Sequence, residues 1–171
     1  TMTNSQKPTP NSQQPKAKSQ QPIPYGKQHI TEEDIKEVEE VLRSDFLTQG
    51  PKVKEFEEKF AHYVGSTYAV AVANGTAALH LSTLALNTQP GKKVITTPIT
   101  FAASANAVLY AGGEVDFVDI DPDTYLIDLD KLEAKIAKAP NDYQGIIPVD
   151  FAGYPVNMEQ LNKIATKYNL W

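Results

Sequence analysis

Residues 68–81, Tyr-Ala-Val-Ala-Val-Ala-Asn-Gly-Thr-Ala-Ala-Leu-His-Leu, limit the fold of this chain more than any other stretch. The first six are small, β-branched or aromatic and carry no charge, which predicts a strand buried on both faces, as in a parallel sheet. Asn74-Gly75 breaks the run, and a helix is predicted to start near Thr76. Gly75 lets the backbone turn tightly. Thr76, Ala77 and Ala78 then offer amide N–H groups that have no partner inside their own helix, at an end carrying partial positive charge. Such a turn is either a phosphate site or an ordinary strand-to-helix connection. It is not a P-loop, because Gly-x-x-x-x-Gly-Lys-Ser/Thr is missing, and a single glycine does not make the dinucleotide fingerprint.

The same alternation continues along the chain. Residues 93–97, 114–119 and 145–149 read as strands; helices follow over about 100–111, from a cap at Asp128, and from a cap at Asn157. Strand and helix alternate four times, which predicts an α/β fold with right-handed crossovers, a mostly parallel sheet and helices on both faces. Before this block, two helices are expected. One is capped by Thr31 and carries Ile35, Val38 and Leu42 on one face; the other, over about 52–64, carries Val53, Phe56, Phe60 and Tyr63. The many acids of these two helices read as a solvated face.

Residues 1–22 are rich in Gln, Pro, Ser and Lys and almost free of apolar side chains, so they read as a disordered leader preceding one domain over 23–171. Net charge is −5; the leader holds three lysines and no acid, leaving 13 basic side chains against 21 acids, or −8, on residues 23–171. An acidic body argues against nucleic acid as a partner. With no cysteine there is neither a disulfide framework nor a thiolate metal site, and no metal is expected. No apolar run reaches the length of a membrane span, so no membrane partner is expected and the cytoplasm is the default compartment. Leu170-Trp171 reads as the beginning of one more strand, and the two ends read as those of a piece of a longer chain.

In open α/β sheets ligands bind beyond the carboxyl ends of the strands. Three loops should meet there: residues 74–77, 97–106 and 150–153. Phe101, set among small residues just after a strand, reads either as core packing or as a ring that stacks on a flat cofactor. Asp150 either touches a substrate hydroxyl or caps its own turn.

Five segments then carry a resemblance: Ile23-Pro24-Tyr25-Gly26, Leu47-Thr48-Gln49-Gly50-Pro51, Asn74-Gly75-Thr76-Ala77-Ala78-Leu79, Thr97-Pro98-Ile99-Thr100-Phe101 and Val149-Asp150-Phe151-Ala152-Gly153. In this order and spacing, residues 23–171 resemble the N-terminal half of the large domain of DegT/DnrJ/EryC1/StrS-type sugar aminotransferases. Within that family they look closest to the branch that aminates a UDP-linked 4-keto-6-deoxy-N-acetyl-altrosamine toward pseudaminic acid. The resemblance implies part of a fold type I PLP-dependent transferase large domain (α/β/α), with pyridoxal 5′-phosphate as cofactor. It also implies a homodimer, a nucleotide-sugar substrate aminated at C4, and an amino donor, usually glutamate. Gly75, Thr76 and Ala77 match the segment that holds the cofactor phosphate, and Phe101 the aromatic lying over its pyridine ring. Tyr25, Thr48 and Gln49, with Asp150, are candidates for the sugar-nucleotide side.

The family's catalytic groups, an Asp paired with the pyridine nitrogen and the Schiff-base Lys, are expected beyond Trp171, so no catalytic residue is assigned within residues 1–171. The chain alone is therefore expected not to transaminate. Two alternatives stay open at this point: a PLP-dependent sugar 3-dehydratase of the same family, in which a histidine replaces that lysine, and a non-catalytic remnant that keeps only binding.

Overall fold

The computed structural model describes residues 26–171, so Tyr25 and the leader expected over 1–22 lie outside the described residues. Two units are distinguished, one ending at Lys52 and one running from Val53 to Trp171.

In the first unit, α1 (Glu32–Leu42) begins at the expected cap. The Thr31 hydroxyl accepts the Asp34 N–H while the Asp34 carboxylate accepts the Thr31 N–H, a reciprocal box, with Glu32, Glu33 and Asp34 in the positive first turn. Ile35, Val38 and Leu42 form its apolar face and are exposed. A loop through Phe46 and Gly50 leads to α2 (Pro51–Val64), which starts on a proline suited to a first helical position.

The second unit contains α3 (Gly75–Ala85), β1 (Lys93–Thr96), α4 (Ala103–Tyr110), β2 (Glu114–Phe117), α5 (Leu129–Lys138), β3 (Tyr143–Ile146) and α6 (Met158–Tyr168). The three strands are parallel in the order β2-β1-β3, with Ile95 level with Asp116 on one side and Ile146 on the other. Successive side chains of β1 serve opposite faces. Ile95 joins the core made by Leu132 and Ile136 of α5 and by Leu161 and Ile164 of α6. Val94 is fully buried outside that core, as is Val108 of α4, which packs on β1 and β2. Helices thus cover both faces. Asp128 and Asn157 cap α5 and α6 as expected, each accepting the amide three residues on.

Residues 68–73 depart from expectation. Among the described residues they pair with no strand, and Tyr68 and Val70 are 85% and 78% exposed. Their composition suits burial, but burial of a strand needs neighbours on its two edges and two faces, and those are tertiary partners that local sequence cannot supply. The opposite holds at the other end. The Trp171 N–H donates to the Gln144 carbonyl at 3.1 Å, and its carbonyl accepts the Ile146 N–H at 2.9 Å, the bonding of a parallel neighbour on the free edge of β3. Gly145 is what admits it, since a Cβ there would run into the Trp171 indole.

A polar link crosses the sheet. Lys135 Nζ donates to Asp116 Oδ1 and to the Phe117 carbonyl, both at 2.7 Å, and the Tyr143 hydroxyl donates to Asp116 Oδ2 at 2.9 Å. Partial burial pushes the Asp116 carboxyl up, but the hydrogen bonds from Lys135, Phe117 and Tyr143 outweigh it and hold the group below 3.8. Burial, then the bond to the Asp116 carboxylate, pushes the Tyr143 phenol from 10.0 up to about 12. The Tyr143 contribution to stability is therefore complete below pH 10 and lost as pH climbs toward 12, whereas that of Asp116 is lost only as pH falls through its depressed value. Alkaline difference spectroscopy should resolve one phenol titrating near pH 12, and Asp116→Asn should lower it. A phenol unmoved by that substitution would contradict the assigned cause.

Candidate functional site

The helix α3 opens on Asn74, whose side-chain oxygen accepts the Ala77 N–H at 2.9 Å and whose carbonyl accepts the Ala78 N–H at 3.1 Å. This corrects the expectation that Thr76, Ala77 and Ala78 all present free amides. An asparagine cap consumes one donor of the first turn, and helix closure consumes another. The amides of Gly75 and Thr76 and the Thr76 hydroxyl remain without a partner among the described residues. Both residues are exposed, a Cβ at Gly75 would meet nothing within 4 Å, and the first turn holds no acid. Two open amides, a hydroxyl and the positive end of an 11-residue helix make a donor set suited to a phosphate.

Phe101 lies on the connection from β1 to α4 and is 77% exposed, so core packing is not its role in this chain. Its backbone is nevertheless held on both sides. Thr97 Oγ1 donates to the Ile99 carbonyl at 3.1 Å, Thr100 and Ser104 join their hydroxyls at 2.8 Å, and the Phe101 carbonyl accepts the Ser104 N–H at 3.0 Å. An open ring on a fixed turn is a stacking platform.

The packing of α3 on α4 puts the phosphate turn and this ring at the same end of the sheet. Thr83 Oγ1 donates to the Ala107 carbonyl at 3.0 Å, and Thr88, beyond the end of α3, lies against Gly113, beyond the end of α4. The two helices therefore run the same way. Because α4 starts beyond the carboxyl end of β1, the N-terminus of α3 faces that end too.

Asp150 follows β3 at the same end of the sheet, next to the Phe151–Gly153 turn. Its Oδ1 accepts the Val156 N–H at 2.9 Å, so it does hold its own loop. The second carboxylate oxygen has no partner among the described residues, and the residue is exposed. In the first unit, Thr48 and Gln49 sit on an exposed loop, with Gln49 at a φ of 51°.

A groove of about 460 Å³ borders the phosphate turn, lined by Phe56, Phe60, Tyr68, Val70, Val72 and Asn74 among others. On α2, whose Phe56 and Phe60 line this groove, the sequence reading missed Glu57. That residue is not part of a solvated face, because its Oε1 accepts the Ala71 N–H at 2.8 Å. The available signal was its place on α2, four residues from Val53 and three from Phe60, which puts an acid in the apolar stripe. A cleft of about 380 Å³ elsewhere, near Asp121, Asp128 and Tyr154, is less suited to a ligand: Asp121 and Asp128 are both engaged by neighbouring amides.

Among the described residues no group of side chains is arranged to hold a metal, and no helix is long and apolar enough to cross a membrane.

Residues 28–171 match the DegT/DnrJ/EryC1/StrS aminotransferase family. A UDP-4-amino-4,6-dideoxy-N-acetyl-beta-L-altrosamine transaminase of Campylobacter jejuni is 44% identical over 148 residues, 86% of this chain and 39% of that protein. The spore coat polysaccharide biosynthesis protein SpsC of Bacillus subtilis is 40% identical over 149 residues, 87% of this chain and 38% of its own length. Among solved structures, the Streptococcus pneumoniae protein Spr1654, known in PLP, PMP and apo forms, superposes with a TM-score of 0.78 at 36% identity, over 85% of this chain and 36% of that one. The chain thus spans well under half the length of these relatives.

Proposed function

The chain belongs to the DegT/DnrJ/EryC1/StrS aminotransferase family, and we propose that it forms the cofactor-phosphate half of the large domain of a PLP-dependent nucleotide-sugar aminotransferase. Its fold is the corresponding part of the fold type I α/β domain. The full protein exchanges the C4 ketone oxygen of a UDP-linked 4-keto-6-deoxy sugar for an amino group from glutamate, which leaves as the 2-oxo acid. The similarity to the altrosamine transaminase supports that choice of substrate. We place the full protein in the cytoplasm, as a homodimer.

Pyridoxal phosphate, when bound, supplies the electron sink that carries the amino group from donor to acceptor. This chain's own residues hold it. The Gly75 and Thr76 amides and the Thr76 hydroxyl bind the phosphate dianion. Ala77, its amide already taken by Asn74, supplies the small first-turn side chain beside it. Phe101 covers the ring face and excludes water from it. Asp150 accepts a sugar hydroxyl through its open oxygen, while Tyr25, Thr48 and Gln49 belong to the nucleotide side.

The observation that carries this proposal is the pair of open amides at the α3 N-terminus, turned to the same sheet end as the open Phe101 ring. A direct test compares pyridoxal phosphate with pyridoxal on the 171-residue chain. The phosphate ester should improve affinity by about tenfold or more, the worth of charge-assisted bonds at a helix end. Equal affinity for the two would sink the phosphate assignment.

A further inference from the structure

We propose that the hydroxyl pair of Thr100 and Ser104 is a positioning device for Phe101: it fixes the turn that carries the ring, so that the ring meets a flat cofactor as a set platform. This deepens the function proposed above and rests on the stacking role given there to Phe101. The turn from β1 into α4 is built with hydroxyls. Thr96, fully buried at the end of β1, donates from Oγ1 to the Ile147 carbonyl at 2.9 Å and ties this strand end to the chain just beyond β3. Thr97, also buried, donates to the Ile99 carbonyl at 3.1 Å. Thr100 and Ser104 then join Oγ1 to Oγ at 2.8 Å, and that bond spans Phe101.

The span matters because α4 begins without the usual side-chain cap. Its N-cap is Ala102, and Ala102, Ala103 and Ala105 offer only methyl groups. The Ser104 N–H reaches back to the Phe101 carbonyl at 3.0 Å, and the Ser104 hydroxyl reaches one residue further back, to Thr100. One residue thus closes the turn twice, through its backbone and through its side chain, with Phe101 inside the loop so formed. Ser104 is buried and Thr100 half-buried, so water competes poorly for the bond. Ring stacking is favourable only over a limited range of separation and offset. A backbone that wanders at Phe101 must be ordered each time a cofactor ring docks, and the entropy of that ordering is subtracted from affinity.

The test compares two probes on the 171-residue chain: deoxypyridoxine phosphate, which has the ring and the phosphate but no aldehyde, and inorganic phosphate. Thr100→Val keeps size and branching and removes the hydroxyl. It should weaken deoxypyridoxine phosphate by about three- to tenfold and leave inorganic phosphate within about twofold, a split that general loss of structure would not give. Thr100→Ser keeps the hydroxyl and should hold both affinities within about twofold of the unsubstituted chain. In a Phe101→Ala background, Thr100→Val should change nothing further, because the pair acts through the ring. Amide relaxation by NMR adds a readout that needs no cofactor: the Phe101 N–H should be rigid, with an order parameter of about 0.85, and should loosen in Thr100→Val. Undiminished deoxypyridoxine phosphate affinity in Thr100→Val, an equal loss for inorganic phosphate, or a Phe101 amide already mobile in the unsubstituted chain overturns the proposal. If Thr100→Val does not fold, Ser104→Ala, which strands no buried hydroxyl, is read by the same criteria. A Phe101→Ala chain that binds deoxypyridoxine phosphate undiminished shows instead that the stacking role is wrong, and the proposal falls with it.

Discussion

Thr76→Asp should abolish phosphate and pyridoxal phosphate binding while leaving the fold as stable as before, or slightly more so. The hydroxyl it removes is exposed and has no partner among the described residues, so the folded chain loses no internal bond. A carboxylate in the first turn of a helix is favourable by about 0.3–1 kcal/mol, because it faces the positive end of the macrodipole. Toward a phosphate the same charge is prohibitive. Two unit charges 4 Å apart near a protein surface repel by roughly 4 kcal/mol, so affinity should fall by at least about a hundredfold. Thermal unfolding and a pyridoxal phosphate titration on the same sample separate the two effects. Binding that survives the substitution would move the phosphate site away from α3, and a large drop in melting temperature would mean that Thr76 has a structural role.

The second large effect concerns the sheet. Ile95→Ala should destabilise the second unit by about 3–4 kcal/mol, in the range of buried large-to-small changes. Ile95 is fully buried at the middle of the central strand, between β2 and β3, and faces the core that includes Leu132 and Ile136. Neighbours held by two ladders cannot collapse into the space, so the cavity term adds to the lost transfer energy. Set against a domain stability of about 5–15 kcal/mol, the loss is a large fraction. Urea unfolding should show a lower midpoint at unchanged slope. Ile35→Ala on the exposed face of α1 should cost no more than about 0.5 kcal/mol. A loss below about 1 kcal/mol for Ile95→Ala would mean that the two-sided burial of β1 is not what holds the sheet.

Helix starts were legible wherever capping chemistry is local. Thr31, Asp128 and Asn157 are caps in the sequence reading and in the structure, because a cap bonds an amide only three residues away. The phosphate turn was legible in outline, since Asn-Gly followed by small residues says where the strand-like run must end. Its donor count was not, because Asn74 reads only as a break in the run, although the same local rule that identifies the other caps applies to it.

The sequence by itself determined the order of elements, the parallel α/β class and the family, because periodicity, caps and five short motifs are written within a few residues of one another. Tertiary structure alone decided which strand-like segments are paired. Residues 68–73 have the composition of a buried strand yet pair with no strand among the described residues, while Trp171 joins the edge of β3 across Gly145. It also decided that Glu57, one acid among many on α2, is bound to the backbone of Ala71 fourteen positions away. The physical reason is the same in each case: a ladder bond or a carboxylate tether joins groups distant in sequence, and its partner is chosen by how the elements pack rather than by the residues on either side.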